Sequence, residues 1–312
     1  MNQQTSNHHR EGLTFATLTV VTWSLTGIFV RMLPGFSSTF LTGARLLIAF
    51  AGLAPVLLLS SRWRALRSMM VHAAAWRLSL ALIAYYLLAV TAYQFGTVAE
   101  VALFIATSPM FVLIARRLKG NTIEAREKIG AVAALAGVAV VMLPNISAAS
   151  PLSGRRIVGD CLALLAALAS AVYASEYRAT AEREHLRVDP IVVAGLTFAA
   201  GSLLLVPALA FSPALAADSV ANSSIVLKFV GLGLVSTAVP SIAYALASQK
   251  LPPVITTTTQ LMIPVFSTAF AAAFLREIPS VWLIPGGFLV LFGIAYMMRG
   301  PAAKQREYVV PE

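Results

Sequence analysis

Charge is what this chain has least of. Only 12% of its 312 residues are Asp, Glu, Lys or Arg, against 58% hydrophobic, and the mean hydropathy is +0.81. A soluble domain of this length could not wet its surface with that supply, so a water-soluble fold is excluded. Cysteine is nearly absent. The single Cys161 lies inside an apolar run, which rules out a disulfide framework and says nothing of redox compartment. The four histidines, His8, His9, His72 and His185, all fall outside the apolar runs. There is no HExxH, no GxSxG and no pair of Asp at catalytic depth. With no nucleophile–base pair and no metal cage, the sequence predicts no enzyme, no metal site and no cofactor.

What the chain has instead is ten apolar runs, most of them long enough to cross a hydrocarbon layer of roughly 30 Å. They are Leu13–Val30, Phe40–Leu59, Leu78–Phe95, Ala99–Ala115, Ile129–Leu143, Val158–Ser175, Ile191–Phe211, Ile225–Ser248, Val254–Leu275 and Val281–Met298. None alternates with period two, so they read as helices and not as barrel strands. The fifth is the shortest and is bounded by Lys128 and Pro144. The cut between the third and fourth rests on Gly96, and that between the eighth and ninth on Lys250 and Pro252–Pro253. The polar start, MNQQTSNHHREG, has no small-residue cleavage site, so the first run is expected to be a resident span.

The net charge of +10 does not point to nucleic acid, because the basic residues sit in short loops between apolar runs. The loops on the side of the N-terminus hold 17 Lys and Arg, among them Arg62, Arg64, Arg67, Arg116, Arg117 and Lys119; the other side holds five. Both termini are therefore expected in the cytoplasm of a bacterial cell, with the chain in its inner membrane.

Two runs stand out. Glu100–Phe111 and Ile255–Phe266 each carry a few polar residues and end in Pro-x-Phe, as Pro109 with Phe111 and Pro264 with Phe266, a spacing of 155. A proline inside an apolar helix frees a carbonyl and bends the axis, which lipid tolerates only beside other helices or a water-filled cavity. Gly43 and Pro55 recur as Gly195 and Pro207 at 152, and Gly130 and Gly137 recur as Gly286 and Gly293 at 156. These matches predict two five-helix repeats, residues 1–150 and 151–312. An odd number of spans per repeat makes the second copy enter the membrane from the opposite face. The expected fold is an all-α integral membrane protein, ten transmembrane helices as two inverted repeats around a central cavity.

These features resemble the EamA-type permeases of the drug/metabolite transporter superfamily. The resemblance rests on Pro264, Glu277, Gly286 and Gly293 in the second half and on Pro109, Gly130 and Gly137 in the first. There the basic Arg116–Arg117–Lys119 cluster stands in place of the acidic loop residue. It covers about residues 12 to 300. It implies a ten-helix carrier with cytoplasmic termini that moves small metabolites and in many members exports amino acids, the aromatic amino-acid exporters being the nearest in character. It further implies a cavity lined by helices 1–4 and 6–9, with 5 and 10 as outer braces.

Polar residues within the runs are the site candidates. Arg45 lies about seven residues into the second run, near 10 Å deep at roughly 1.5 Å per residue. A lone charge there must face a cavity or a counter-ion, so it reads as an anchor for a substrate carboxylate or as a structural arginine. Gln260, Thr256 and Thr259 belong to the most polar stretch in any run. Threonine can satisfy the carbonyl four residues back, whereas Gln260 is either a cargo ligand or an interhelical hydrogen bond. Trp23, Tyr85 and Tyr86 lie mid-span, to stack on cargo or pack between helices. Glu100, at the outer end of the fourth run, is a candidate for coupling or for pairing with Arg45, as is Asp160; a helix dipole also favours acids in a first turn. Pro109, Pro264 and Tyr93 are the gating candidates. The expected partners are a small-molecule substrate and membrane lipid, with no nucleic acid and a monomeric or homodimeric state. An amino-acid exporter leads. A multidrug or other amphipathic-solute carrier and a passive channel are the alternatives, since a filter can be built from backbone alone.

Overall fold

The structure is a computed structural model that describes residues 3–58, 62–118, 120–147, 151–183, 189–210, 222–251 and 253–298. The 150/151 repeat boundary, the end of the seventh run at Phe211, His185, Lys119 and residues 299–312 lie outside the described residues. Every regular element described is helical, as a backbone without water to bond must be. In order they are α1 (Gln3–Ser24), α2 (Thr26–Arg31), α3 (Ser38–Leu58), α4 (Arg62–Met69), α5 (Ala73–Phe95), α6 (Val98–Ile105), α7 (Ser108–Leu118), α8 (Ala125–Ser147), α9 (Pro151–Arg183) and α10 (Pro190–Ala210). Then come α11 (Ser223–Val230), a π-helical segment (Gly231–Ala238), α12 (Val239–Lys250), α13 (Pro253–Gln260), α14 (Ile263–Phe270) with a π turn at Ala271–Leu275, and α15 (Leu283–Met298).

Eight helices or broken helices among the described residues are long and apolar enough to cross a membrane, and two shorter apolar helices, Pro190–Leu205 and Leu283–Met298, stand at the seventh and tenth runs. The weak cuts fall where expected. Gly96 ends α5, with Thr97 as the N-cap of α6, and Lys250 ends α12 with Pro253 opening α13.

Three expectations need correcting. The fifth span is not the shortest: α8 runs through Pro144, which costs it one helical bond, and begins ahead of Lys128 in water-facing residues. The first run is two helices, broken at Leu25. Thr19, Thr22 and Ser24 each donate a hydroxyl to the carbonyl four residues back, at 2.6–2.8 Å, and such back-bonding loosens a helix ahead of Gly27. The eighth run is not a plain α-helix but carries eight residues wound as π-helix. Pro240 explains part of this, because the carbonyl of Ser236, four residues before it, finds no donor in the α register.

Helix pairing orders the bundle. α8 packs on α15, α3 on α10, α5 on α9 and α1 on α12. The α8–α15 contact is made by the glycines read as packing faces. A Cβ on Gly293 would lie 2.5 Å from the Gly130 carbonyl oxygen, and one on Gly137 would lie 2.5 Å from that of Gly286. The backbones touch, reciprocally, and only glycine allows it.

Ion pairs divide the bundle into two ends. At one end Lys250 meets Glu11 (2.6 Å), Arg62 meets Asp189 (2.7 Å), Arg77 meets Glu176 (3.4 Å) and Arg116 meets Glu127 (2.7 Å). At the other, Arg31 at the end of α2 meets Glu277, beyond α14.

Candidate substrate site

The two proline breaks are superposable in sequence. α6 stops at Ile105 and α7 starts at Ser108; α13 stops at Gln260 and α14 starts at Ile263. Each gap is two residues, and each lies directly ahead of a residue–Pro pair, Ser108–Pro109 or Ile263–Pro264. Pro109 and Pro264 have no N–H, so the carbonyls of Ile105 and Gln260 lose their α-register donors. The second break is tied to the break in the first run. Ser24 Oγ donates to the Ile263 carbonyl and Ser267 Oγ donates to the Ser24 carbonyl, both at 3.2 Å.

Arg45 is 2% exposed on α3 and faces the π segment. Its Nε donates to Thr237 Oγ1 at 2.6 Å and its Nη2 to the Ser236 carbonyl at 3.3 Å. Thr237 Oγ1 in turn donates to the Leu232 carbonyl, five residues back, at 2.7 Å. The guanidinium carbon stands 4.6 Å from the centroid of the Tyr86 ring. Among the described residues no carboxylate lies within ion-pair distance of Arg45. Its charge is met by a hydroxyl, a carbonyl and a π-face, so it is neither snorkelled to the surface nor ion-paired there.

The aromatic candidates divide into two groups. Tyr85 and Tyr86 contact each other at 5.3 Å between centroids, and Tyr86 also meets Phe198 at 6.3 Å. Trp23 of α1 packs on Tyr244 of α12 at 5.7 Å. Tyr173 of α9 is within electrostatic reach of both Tyr86 and Tyr244 and joins the groups. Tyr93 is buried against α2, where a Cβ on Gly27 would come within 2.7 Å of its ring.

In the polar run, Thr259 donates to the Ile255 carbonyl at 2.7 Å, the cheap arrangement threonine allows, and Thr256 is buried. Gln260 is half-buried at the lip of the break, and among the described residues its amide makes no hydrogen bond. Among the described residues no hydrogen bond joins it to Arg45, which lies on α3 while Gln260 ends α13.

Glu100 does not pair with Arg45. It lies in the first turn of α6, where its N–H donates to Oγ1 of the N-cap Thr97 at 3.3 Å. Its charged neighbours are Arg156 and Glu277. Sequence reading missed Ser236 and Thr237, whose only signal is Pro240 behind Gly231 and Gly233, and left Tyr173 and Tyr244 outside the site. Among the described residues no three His, Cys, Asp or Glu gather as a metal site.

The profile of the EamA-like transporter family matches the chain twice, over residues 10–143 and 157–299. No curated protein matches it. A solved structure titled "Crystal structure of protein" is similar at 20% identity and a TM-score of 0.60, covering 93% of this chain and 97% of that one. At that identity the likeness speaks for the fold alone.

Proposed function

Because the chain belongs to the EamA-like transporter family, a family of membrane transporters, we propose that it is a secondary carrier exporting small metabolites, amino acids first and aromatic ones among them, by alternating access. The carrying observation is Arg45: a buried guanidinium with no carboxylate within ion-pair distance among the described residues, walled by Tyr86 and Tyr85. A cargo carboxylate supplies the missing charge, and an aromatic or apolar side chain stacks among Trp23, Tyr85 and Tyr86. Gln260, with Thr256 and Thr259, lines the other wall, where its amide binds a polar group of the cargo.

In this reading the chain crosses the inner membrane ten times, as repeats 1–150 and 151–312 threaded in opposite senses, with both termini cytoplasmic. The helix pairing supports it. α8–α15 and α3–α10 each join a helix to its own counterpart, while α5–α9 is mirrored by α1–α12. Pro109 and Pro264 are the hinges, Tyr93 screens the outer mouth and Glu100 couples transport to a proton. The carrier works as a monomer or homodimer. The test is counterflow of labelled amino acids in proteoliposomes, with and without an imposed pH gradient. Saturable exchange is expected. Flux that rises linearly with concentration would indicate a channel, and exchange of amphipathic amines but not amino acids would indicate a multidrug carrier.

A further inference from the structure

At the outer end of the bundle one carboxylate holds three helix ends together. Glu277 follows Arg276, a left-handed residue (φ 54°) that turns the chain sharply after the π turn. Its Oε1 accepts from Arg31 Nε at 3.2 Å, at the end of α2, and its Oε2 accepts from the Val98 N–H at 3.0 Å, in the first turn of α6. The Glu277 side chain is 17% exposed. A carboxylate at a helix N-terminus with a guanidinium beside it is held by a charge-assisted pair and by a backbone donor at once.

Glu100 is the opposite case. It is 3% exposed, and its Oε2 has no hydrogen-bond partner among the described residues, while Arg156 and Glu277 stand within electrostatic reach. The other charged groups at this end are Arg155, which stands 5.3 Å over the Phe95 ring, Arg156 and the fully buried Asp160, all on α9, with Arg276 and, on α11, Lys228. A buried carboxyl oxygen that finds no donor among the described residues is costly to leave charged, and the second carboxylate Glu277 works against the Arg156 charge in reach of it. The smallest group that relieves this is a proton.

We propose that Glu100 is the proton site of an outer gate and Glu277 its clasp. With a proton on Glu100, Glu277 keeps its bonds to Arg31 and Val98 and the outer mouth is shut. When Glu100 loses the proton to outside water, two like charges face each other under low dielectric, the clasp lets go, and the ends of α2 and α6 separate. A proton arriving from outside therefore shuts the outer mouth behind departed cargo. This rests on the transport reading for which end is outer, and adds to it the clasp and the direction in which the proton works.

Hydrogen–deuterium exchange of the full chain in lipid nanodiscs tests it without cargo, so failure to find transport would leave the result standing. After correction for the chemical exchange rate, amides 26–31 and 97–100 of the wild type should be protected near pH 6 and lose about tenfold protection towards pH 9. Glu100→Gln, a neutral stand-in for the protonated acid, should stay protected across that range. Glu277→Gln should be unprotected at both ends of it, with the inner-end peptide 62–69 unchanged as the control for folding. Should Glu277→Gln fail that control, Arg31→Gln removes the same pair from the other side. A wild-type pH dependence that survives in Glu100→Gln, or full protection in Glu277→Gln and Arg31→Gln, would overturn the proposal.

Discussion

Arg45 and Thr197 occupy matching places in the two copies, at the same spacing of 152 that separates Gly43 from Gly195. Both are buried, and each reaches a hydroxyl on a neighbouring span. Arg45 Nε donates to Thr237 Oγ1 at 2.6 Å, and Thr197 Oγ1 donates to Ser79 Oγ at 3.3 Å. One contact carries a charge and leans on a π-helical segment; the other is neutral and leans on the unbroken helix α5. The corners differ likewise. Val98 opens α6 with an N–H that Glu277 caps, whereas its counterpart 155 residues on is Pro253, which has no N–H to cap. That accounts for the missing acid in the first half's loop, since the helix start it would cap has no donor. The scaffold is duplicated, and the chemistry is one-sided.

The sharpest way to break that contrast is to remove each member of the first pair. Arg45→Ala should lower counterflow about a hundredfold by stripping the cargo's counter-charge, and Arg45→Lys about tenfold, because a point charge replaces a planar fork. Thr197→Ala should leave counterflow within about twofold. Equal losses at both positions would mean the two sites share the cargo. The glycines test the duplicated part instead. Gly137→Ala and Gly286→Ala should each destabilise the folded chain by about 1–3 kcal/mol in thermal or denaturant unfolding in detergent, and by similar amounts, since each Cβ would press on the other helix's backbone. A large difference between them would separate the copies in stability as well as chemistry. Pro264→Ala should restore a helical bond and slow turnover about tenfold with the fold intact, and unchanged turnover would remove the hinge. Smallest should be Pro253→Ala, which adds one N–H at a helix start and should shift stability by less than about 0.5 kcal/mol.

The sequence made the duplicated part readable, because it depends on residues whose effect is local. Pro109 and Pro264 have no N–H whatever surrounds them, so each helix stops two residues ahead of its residue–Pro pair. Gly130, Gly137, Gly286 and Gly293 have no Cβ, so their spacing announces a close face. The one-sided part was harder to read. Arg45 could be picked out as a buried charge, but its partners are a carbonyl and a hydroxyl some 190 positions away, in a segment whose π winding depends on packing as much as on Pro240. The break at Leu25 has no proline, arising where hydroxyls back-bond in a helix stitched to α14. Glu277 could be noted as an acid in a loop, but its bond to the start of a helix 179 positions earlier belongs to the fold.

The proposed opposed threading of the two copies can be measured directly. Asn121 and Arg276 are equivalent positions, 155 residues apart, exposed at the corners that follow α7 and α14. Asn121→Cys and Arg276→Cys, each in a Cys161→Ala background, should differ completely towards a membrane-impermeant maleimide applied to intact cells. The account predicts that position 276 labels at once and position 121 only after the membrane is permeabilised. Labelling of both from the same side would contradict it.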